Sequence, residues 1–462
     1  MARRMRPATG GPGPGARRMA SLASALLLAL LPFAAKATGL AEGLRDALAT
    51  NPNWEAAQAQ RDAGVEAEVQ GRAGLLPQAS FSASRSRAST DSTVASLQGP
   101  QNSSRDYSAY NYALQLRQPL YRPKAWAAYG QGKAQAAYAE ANLQATRQEL
   151  ARQVVLAYAE WGFASAALTA ARSQAESLEL SASSAARMFN AGDGTRVELE
   201  TARARLAQAR AQVVEADGQV RAARRGWLQI TGHGGDLQEA VALPAIGNGA
   251  SLRLPLDLDT LSQWQQEALA GSAQIQALQH AVRAAQQEVR KSRADHLPSL
   301  DLFASRTRSQ SDTELTIGNR YDTTRLGLQL SVPIYSGGAV SSVVRQAAAN
   351  LRRAESELEA ARLDLLLRVE REWHAFRAAR DAAAASAQAV DAASLAVRAA
   401  RLGIPAGSAT RVDELNAIAE ESLARRDLIQ ADSRALVAWA QLLAAAGRLD
   451  EQALQQADAA LR

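Results

Sequence analysis

From about Lys124 to Asn190 the chain has no proline, and apolar or small residues recur at alternating spacings of four and three. Leu150, Val154, Ala157, Trp161, Ala164, Leu168, Ala171, Ala175 and Leu178 form this seam. After a break at Gly192 it resumes as Leu199, Ala202, Leu206, Ala209, Val213, Ala216, Val220, Ala223 and Trp227. A stripe of this period is a heptad seam, which is buried by packing on another helix. Two seams joined by a short break predict an antiparallel coiled-coil hairpin. At about 1.5 Å per residue, a helix of roughly 65 residues is roughly 100 Å long, whereas globular helices average about 11–12 residues. The many alanines on the seams allow close backbone approach.

The chain is also duplicated. Leu76-Pro77 and the later Ser84-Arg85-Ser86-Arg87 recur as Leu297-Pro298 and Ser305-Arg306-Thr307-Arg308, 221 residues on. Gln118-Pro119-Leu120-Tyr121 recurs as Val332-Pro333-Ile334-Tyr335, 214 on. Ala191-Gly192 with Thr195-Arg196-Val197-Glu198 recurs as Ala406-Gly407 with Thr410-Arg411-Val412-Asp413, 215 on. Landmarks in one order at nearly constant spacing mark an internal repeat. The seven-residue drop between the first two offsets falls between Pro77 and Pro119, where a loop tip absorbs it most cheaply. The expected layout is a first repeat over 38–231, a connector over 232–259, a second repeat over 260–446 and a C-terminal tail over 447–462. Each repeat reads as a helix, a strand pair and a long helix hairpin. In the first these are a helix over 40–74, strands over 78–90 and 107–118, and a hairpin over 124–231. In the second the strands fall at 299–311 and 321–332 and the hairpin at 338–446, with Leu351, Leu358 and Leu365 seven apart.

Charge excludes one partner class. The net charge is +6, but six basic and no acidic residues lie in the first 37, which leaves 46 basic against 46 acidic. A neutral remainder is no footprint for nucleic acid. The N-terminus reads as a signal peptide: a positive region to Arg18, an apolar stretch from about Met19 to Ala35, and Ala35-Lys36-Ala37 as a small-x-small cleavage site. The expected signal is 1–37. A retained anchor is the other reading of this segment, and Arg17-Arg18 hints weakly at twin-arginine export. The absence of cysteine excludes disulfides, thiolate metal sites and a lipid on cysteine. No run of about 18 apolar residues follows residue 37, so no transmembrane helix is expected. Only a closed β-barrel then remains for crossing a bilayer.

The strand segments suit that role. Tyr110, Tyr112, Leu114 and Leu116 alternate with Asn111, Ala113, Gln115 and Arg117, and Leu326, Leu328, Leu330 and Val332 with Arg325, Gly327, Gln329 and Ser331. Four strands cannot close a barrel alone, so several chains must contribute. Six of the nine tyrosines, Tyr107, Tyr110, Tyr112, Tyr121, Tyr321 and Tyr335, lie at or beside the strands, as in the aromatic girdles of outer-membrane barrels. A small soluble sheet with tyrosines at its edge is the alternative.

The duplicated plan, the Gln118-Pro119-Leu120-Tyr121 and Val332-Pro333-Ile334-Tyr335-Ser336-Gly337-Gly338 motifs after strands, and the two Gly-x-x-Thr-x-Val-(Asp/Glu) breaks resemble the TolC-like outer-membrane efflux and secretion channels over about residues 40–446. The resemblance implies a mixed α and β membrane protein. Three copies would form a homotrimer with a 12-stranded β-barrel, four strands per chain, continuous with a long α-helical barrel across the periplasm. Segments near 91–106 and 313–320 would be extracellular loops. The resemblance also implies a periplasmic adaptor and an inner-membrane ABC or other pump as partners. It makes Gly192, Thr195, Arg196, Val197, Gly407, Thr410, Arg411 and Val412 the periplasmic tips that the adaptor contacts. On the residues alone, the glycines end helices and the threonines cap the next ones. In the family, acidic residues after the second tip line the entrance constriction. Asp413 matches the first such position, Asn416 stands at the second, and Ala409 replaces the arginine that locks the closed entrance. Glu198 and Glu200 are further candidates for charge there, against the plainer reading of each as a solvated helix face.

No enzyme constellation is present. His233, His280, His296 and His374 are scattered, and Gly232-His233-Gly234-Gly235 lacks the Lys-Ser/Thr of a phosphate loop and reads as a turn. No cofactor or metal is expected. The leading expectation is a passive exit duct in the bacterial outer membrane, carrying protein, as in type I secretion, or small molecules. The lack of an anchor cysteine mildly favours protein. The rival is a soluble exported coiled-coil structural or adaptor protein.

Overall fold

The computed structural model describes residues 39–97, 99–232, 254–256, 258–311 and 319–461. The expected signal peptide, most of the connector with its Gly-His-Gly-Gly turn, and the loop near 313–320 lie outside or almost outside these residues. In chain order the elements are α1 (Leu40–Thr50), α2 (Pro52–Ala73), β1 (Gln78–Ser96), β2 (Gly99–Tyr121), α3 (Pro123–Ala191), α4 (Arg196–Ile230), α5 (Leu261–Gly271), α6 (Ala273–Arg293), a 3-10 turn, β3 (Ser299–Ser311), β4 (Asn319–Ser331), α7 (Ala339–Gly403), α8 (Arg411–Ala445) and α9 (Glu451–Leu461).

The helix hairpins follow the heptads. α3 runs for 69 residues and α7 for 65, roughly 100 Å each at about 1.5 Å per residue. Leu150, Val154, Ala157, Trp161, Ala164, Leu168 and Leu178 are buried on α3, and Leu199, Ala202, Ala209, Ala216, Ala223 and Trp227 on α4. Leu358 and Leu365 are buried on α7, with Leu351 packed partly against the same core. α3 also holds an 18-residue window apolar enough to cross a membrane by length and composition, which the sequence reading did not anticipate. Half of that window is buried inside the molecule, as a coiled-coil seam requires.

The core is densest where the short helices meet the hairpins. Tyr158 meets Trp227 edge-on at 5.7 Å between ring centroids. The Trp264 and Trp439 indoles donate to the carbonyls of Leu258 and Pro255, which pins the end of the connector to the core. Two details depart from expectation. The helix over 40–74 is two helices, because Asn51 caps a new start with Pro52 at its first position. The Asn51 side chain also donates to Ile230 O, across to the end of α4. The tail over 447–462 ends in a packed helix: Leu454, Ala457 and Leu461 are buried. Asp458 accepts from the free backbone N–H groups of Leu40 and Ala41 at 2.7 and 3.1 Å, so α9 caps α1 from the other end of the chain.

The four strands form one antiparallel sheet in the order β1-β2-β3-β4. β3 covers the expected 299–311, and β4 lies within two residues of 321–332. The first hairpin is longer than expected. Residues 91–96 and 99–106, expected as loop, continue the ladder from Asp91↔Ser104 to Ser96↔Gly99. The extra length of the first repeat is thus hydrogen-bonded strand rather than open loop.

Candidate functional site

The molecule offers two special ends, the sheet and the helix tips. At the sheet, pairing places Phe81, Leu114 and Leu116 on one face with Leu302, Leu326, Leu328 and Leu330. These are not core residues: Phe81 is 68% exposed, Leu326 76% and Leu330 66%. The other face carries Ser80, Ser82, Ser84, Asn111, Gln115, Ser305, Thr307 and Gln329. An apolar face this extended on an open sheet requires cover. At the base of the sheet, Asp301 is buried and accepts from Arg117 Nη2 at 2.5 Å and Arg122 Nη2 at 2.8 Å. This ties β2 and the start of α3 to β3.

At the opposite end each hairpin turns by the same device. Gly192 has φ +85°, and Gly407 φ +71°. After α3, Gly192 N–H donates to Phe189 O and Asp193 N–H to Met188 O. After α7, Gly407 N–H donates to Ile404 O and Ser408 N–H to Gly403 O. Both are Schellman ends, whose left-handed residue is glycine because a Cβ is strained there. Each following helix opens with a capping box. Thr195 Oγ1 accepts from Glu198 N–H at 3.2 Å, and Glu198 Oε2 accepts from Thr195 N–H at 2.8 Å. Thr410 Oγ1 accepts from Asp413 N–H at 3.2 Å, and Asp413 Oδ2 accepts from Thr410 N–H at 2.8 Å. Thr195 thus holds the Glu198 carboxyl below the usual carboxylate range through its backbone N–H and then its hydroxyl. The Thr410 hydroxyl, then its backbone N–H, does the same for Asp413. Both carboxylates are therefore charged at neutral pH, with one oxygen engaged in the cap.

The structure brings the two tips together. Leu178, Ala182, Ala185 and Ala202 of the first hairpin share a core with Val397, Leu415 and Ile418 of the second. Around it Arg196, Val197, Val412, Asp413 and Asn416 are exposed, as are Met188, Phe189 and Leu402. Sequence reasoning missed the group that locks the tips. Glu414 is 5% exposed, and it accepts from Arg411 Nη1 at 2.7 Å and Arg401 Nε at 3.2 Å. Arg411 Nη2 in turn donates to Ser184 Oγ of α3 at 3.0 Å. Arg411, a tip residue by the resemblance, faces inward and holds α8 to α3. Among the described residues no cluster of His, Asp and Glu suits a metal ion.

A family model described as outer membrane efflux protein matches residues 43–233 and 264–448. The chain is 34% identical to the alkaline protease secretion protein AprF of Pseudomonas aeruginosa over 95% of this chain and 90% of that one. It is 32% identical to the proteases secretion protein PrtF of Dickeya chrysanthemi, over 95% and 94%, and 28% identical to the outer membrane protein TolC of Vibrio cholerae, over 94% and 96%. Among solved structures, the outer-membrane protein VceC of Vibrio cholerae superposes with a TM-score of 0.74 at 21% identity, covering 88% of this chain and 96% of that one. The outer-membrane channel OprN gives 0.76 at 18% identity, covering 88% and 89%.

Proposed function

Because the chain belongs to the outer membrane efflux protein family of TolC-like channels, and is an outer-membrane protein extending into the periplasm, we propose that three copies assemble into one exit duct for exported protein. The observation that carries this reading is the four-stranded sheet with an exposed leucine face and two edges, β1 and β4, that are unpaired among the described residues. Free edges invite pairing, and a bilayer tolerates a sheet only when its edges are closed. Pairing β4 of one copy with β1 of the next gives twelve strands, leucines towards lipid and serines towards water. The two long helices of each copy, α3 and α7, each with a second track made of two shorter helices (α2 and α4, α6 and α8), then give a twelve-track tube roughly 100 Å long at about 1.5 Å per residue. The same exposed leucine face argues against a soluble coiled-coil adaptor.

The relatives support a protein cargo. The two named for protease secretion are more similar to this chain than the TolC proteins are, which favours type I protein secretion over small-molecule efflux. The chain has no nucleotide-binding motif, so an inner-membrane pump, of the ABC type or another, supplies the free energy. A periplasmic adaptor reaches the tips, where Gly192, Thr195, Arg196, Val197, Gly407, Thr410 and Val412 shape the surface and Arg411 braces it. Asp413 and Glu198, with Asn416 beside them, line the entrance constriction. Three copies of each carboxylate make an anionic ring that favours cations. No catalytic step is needed.

The test is reconstitution. The purified chain should partition into outer-membrane fractions, need detergent for extraction and conduct in planar bilayers. A strain deleted for the gene should lose an exported protein from its medium while keeping its drug resistance. A mature protein soluble without detergent would overturn the duct. Loss of drug resistance with secretion intact would overturn the cargo.

A further inference from the structure

The leucine face of the sheet does not stay apolar to its end. Towards the hairpin tips, Arg306 stands in the same row as Leu114 and Phe81, Arg308 lies beside Tyr112 in the next row on this face, and Arg85 and Arg320 share the row after with Tyr110. Alternation in a strand keeps all of these on the leucine side. The opposite face carries Ser84, Ser86, Asn111, Ser309 and Tyr321 at the same level. A duct reading anionic cargo would place these arginines inside; here they stand outside, from the last apolar row of the band outward and among its tyrosines. One carboxylate, Asp322, is shared by Arg308 at 2.8 Å and Arg306 at 3.4 Å. Arg85 and Arg320 have no ion pair among the described residues. The patch is therefore cationic, exposed and continuous with the lipid-facing surface.

We infer that this outward arginine cluster binds the phosphates of a phosphorylated lipid headgroup at the outer rim of the bilayer. Guanidinium forks bind phosphate oxygens in pairs, and the depth matches, because a headgroup sits where an apolar band gives way to tyrosine and arginine. The inference rests on the barrel reading above, since only a closed barrel turns this face to lipid.

The test uses the purified full-length trimer in phosphatidylcholine nanodiscs doped with a bis-phosphorylated glucosamine-disaccharide lipid or its dephosphorylated form. Native mass spectrometry then counts the lipid retained. Wild type should retain the phosphorylated form preferentially, by about tenfold, and lose that preference at high salt. The triple variant Arg85→Gln, Arg306→Gln, Arg320→Gln should lose it, and Arg325→Gln, on the opposite face, should keep it. Equal retention of both lipids by wild type overturns the inference without any variant, so a variant that fails to assemble does not shelter it. Equal retention by the triple variant and wild type also overturns it. A protein that enters discs and conducts without phosphate preference defeats this inference alone; one that enters no disc defeats the barrel as well.

Discussion

Replacing Glu414 by Gln should loosen the tips and little else. The Glu414 side chain is 7% exposed, Arg411 15% and Arg401 47%. Removing one partner of a buried ion pair costs about 3–5 kcal/mol because the other charge is left desolvated. That figure applies to the Arg411 arm alone. The Arg401 arm is half in water, where such pairs contribute about 0–1 kcal/mol. Gln keeps the shape and one acceptor, so the expected local cost is about 2–3 kcal/mol. At about 1.4 kcal/mol per tenfold, amide exchange at the tips should accelerate by roughly 30- to 150-fold.

Hydrogen–deuterium exchange of the assembled protein reads this directly. Peptides spanning 184–192, 401–403 and 411–418 should lose protection, while those around Tyr158 and Trp227 should not change. Arg411→Gln should loosen the tips at least as much as Glu414→Gln, since it also removes the donor to Ser184, and the double variant should fall short of the sum of the two because they share the Arg411–Glu414 pair. Arg401→Gln should have the smallest effect. Unchanged exchange at 184–192 would refute the reasoning, because it would mean that the Arg411 to Ser184 contact does not couple the hairpins. Acceleration of equal size throughout α3 would refute it too, by making the defect global.

Thr195→Ala and Thr410→Ala each remove one capping box and should cost about 1 kcal/mol locally, seen as about fivefold faster exchange in the first turns of α4 and α8. The carboxyl pKa values of Glu198 and Asp413 are depressed in the folded tips, so their contribution is present above the unfolded carboxylate values near 4. It is lost as pH falls through the folded values. Tip exchange corrected for intrinsic rates should therefore be flat from pH 8 to about 5 and rise only in more acid solution; a rise between pH 6 and 7 would contradict the assignment. Asp413→Ala should reduce cation selectivity in bilayers and Asn416→Asp should raise it, read from reversal potentials in a salt gradient; unchanged values in both would remove these residues from the constriction. Asp301→Asn leaves Arg117 and Arg122 without their shared carboxylate and should cost about 2–3 kcal/mol after allowing for the exposure of Arg117, measured as a lower temperature for dissociation of the assembled protein. An unchanged temperature would show that the base of the sheet does not depend on that clamp.

What the sequence made legible was what is repeated locally. The seams were readable because every third or fourth residue states the same preference, and Gly192 and Gly407 because a left-handed end has few other solutions. The strands over 91–106 were not readable. There Ser, Thr and Asn occupy both faces, so no alternation marks them, and only pairing with the opposite strand holds them extended. Glu414 was hidden for a related reason. Three residues after Arg411 on a helix, it looks like an exposed pair of small value. Its burial depends on α3, which arrives from more than 220 residues earlier and supplies Ser184 to the same arginine. Asp458 is the extreme case, an ordinary acidic residue in a tail until the first helix of the chain presents two free amides to it. The charges that carry most consequence here are thus those whose partners are remote. The capping carboxylates Glu198 and Asp413 are satisfied within one turn, which leaves their second oxygens available to a passing ion. Glu414 is used up in holding the tip together. The proposed acidic entrance needs both kinds: one set of carboxylates free enough to face the axis, and another buried enough to keep that axis in place.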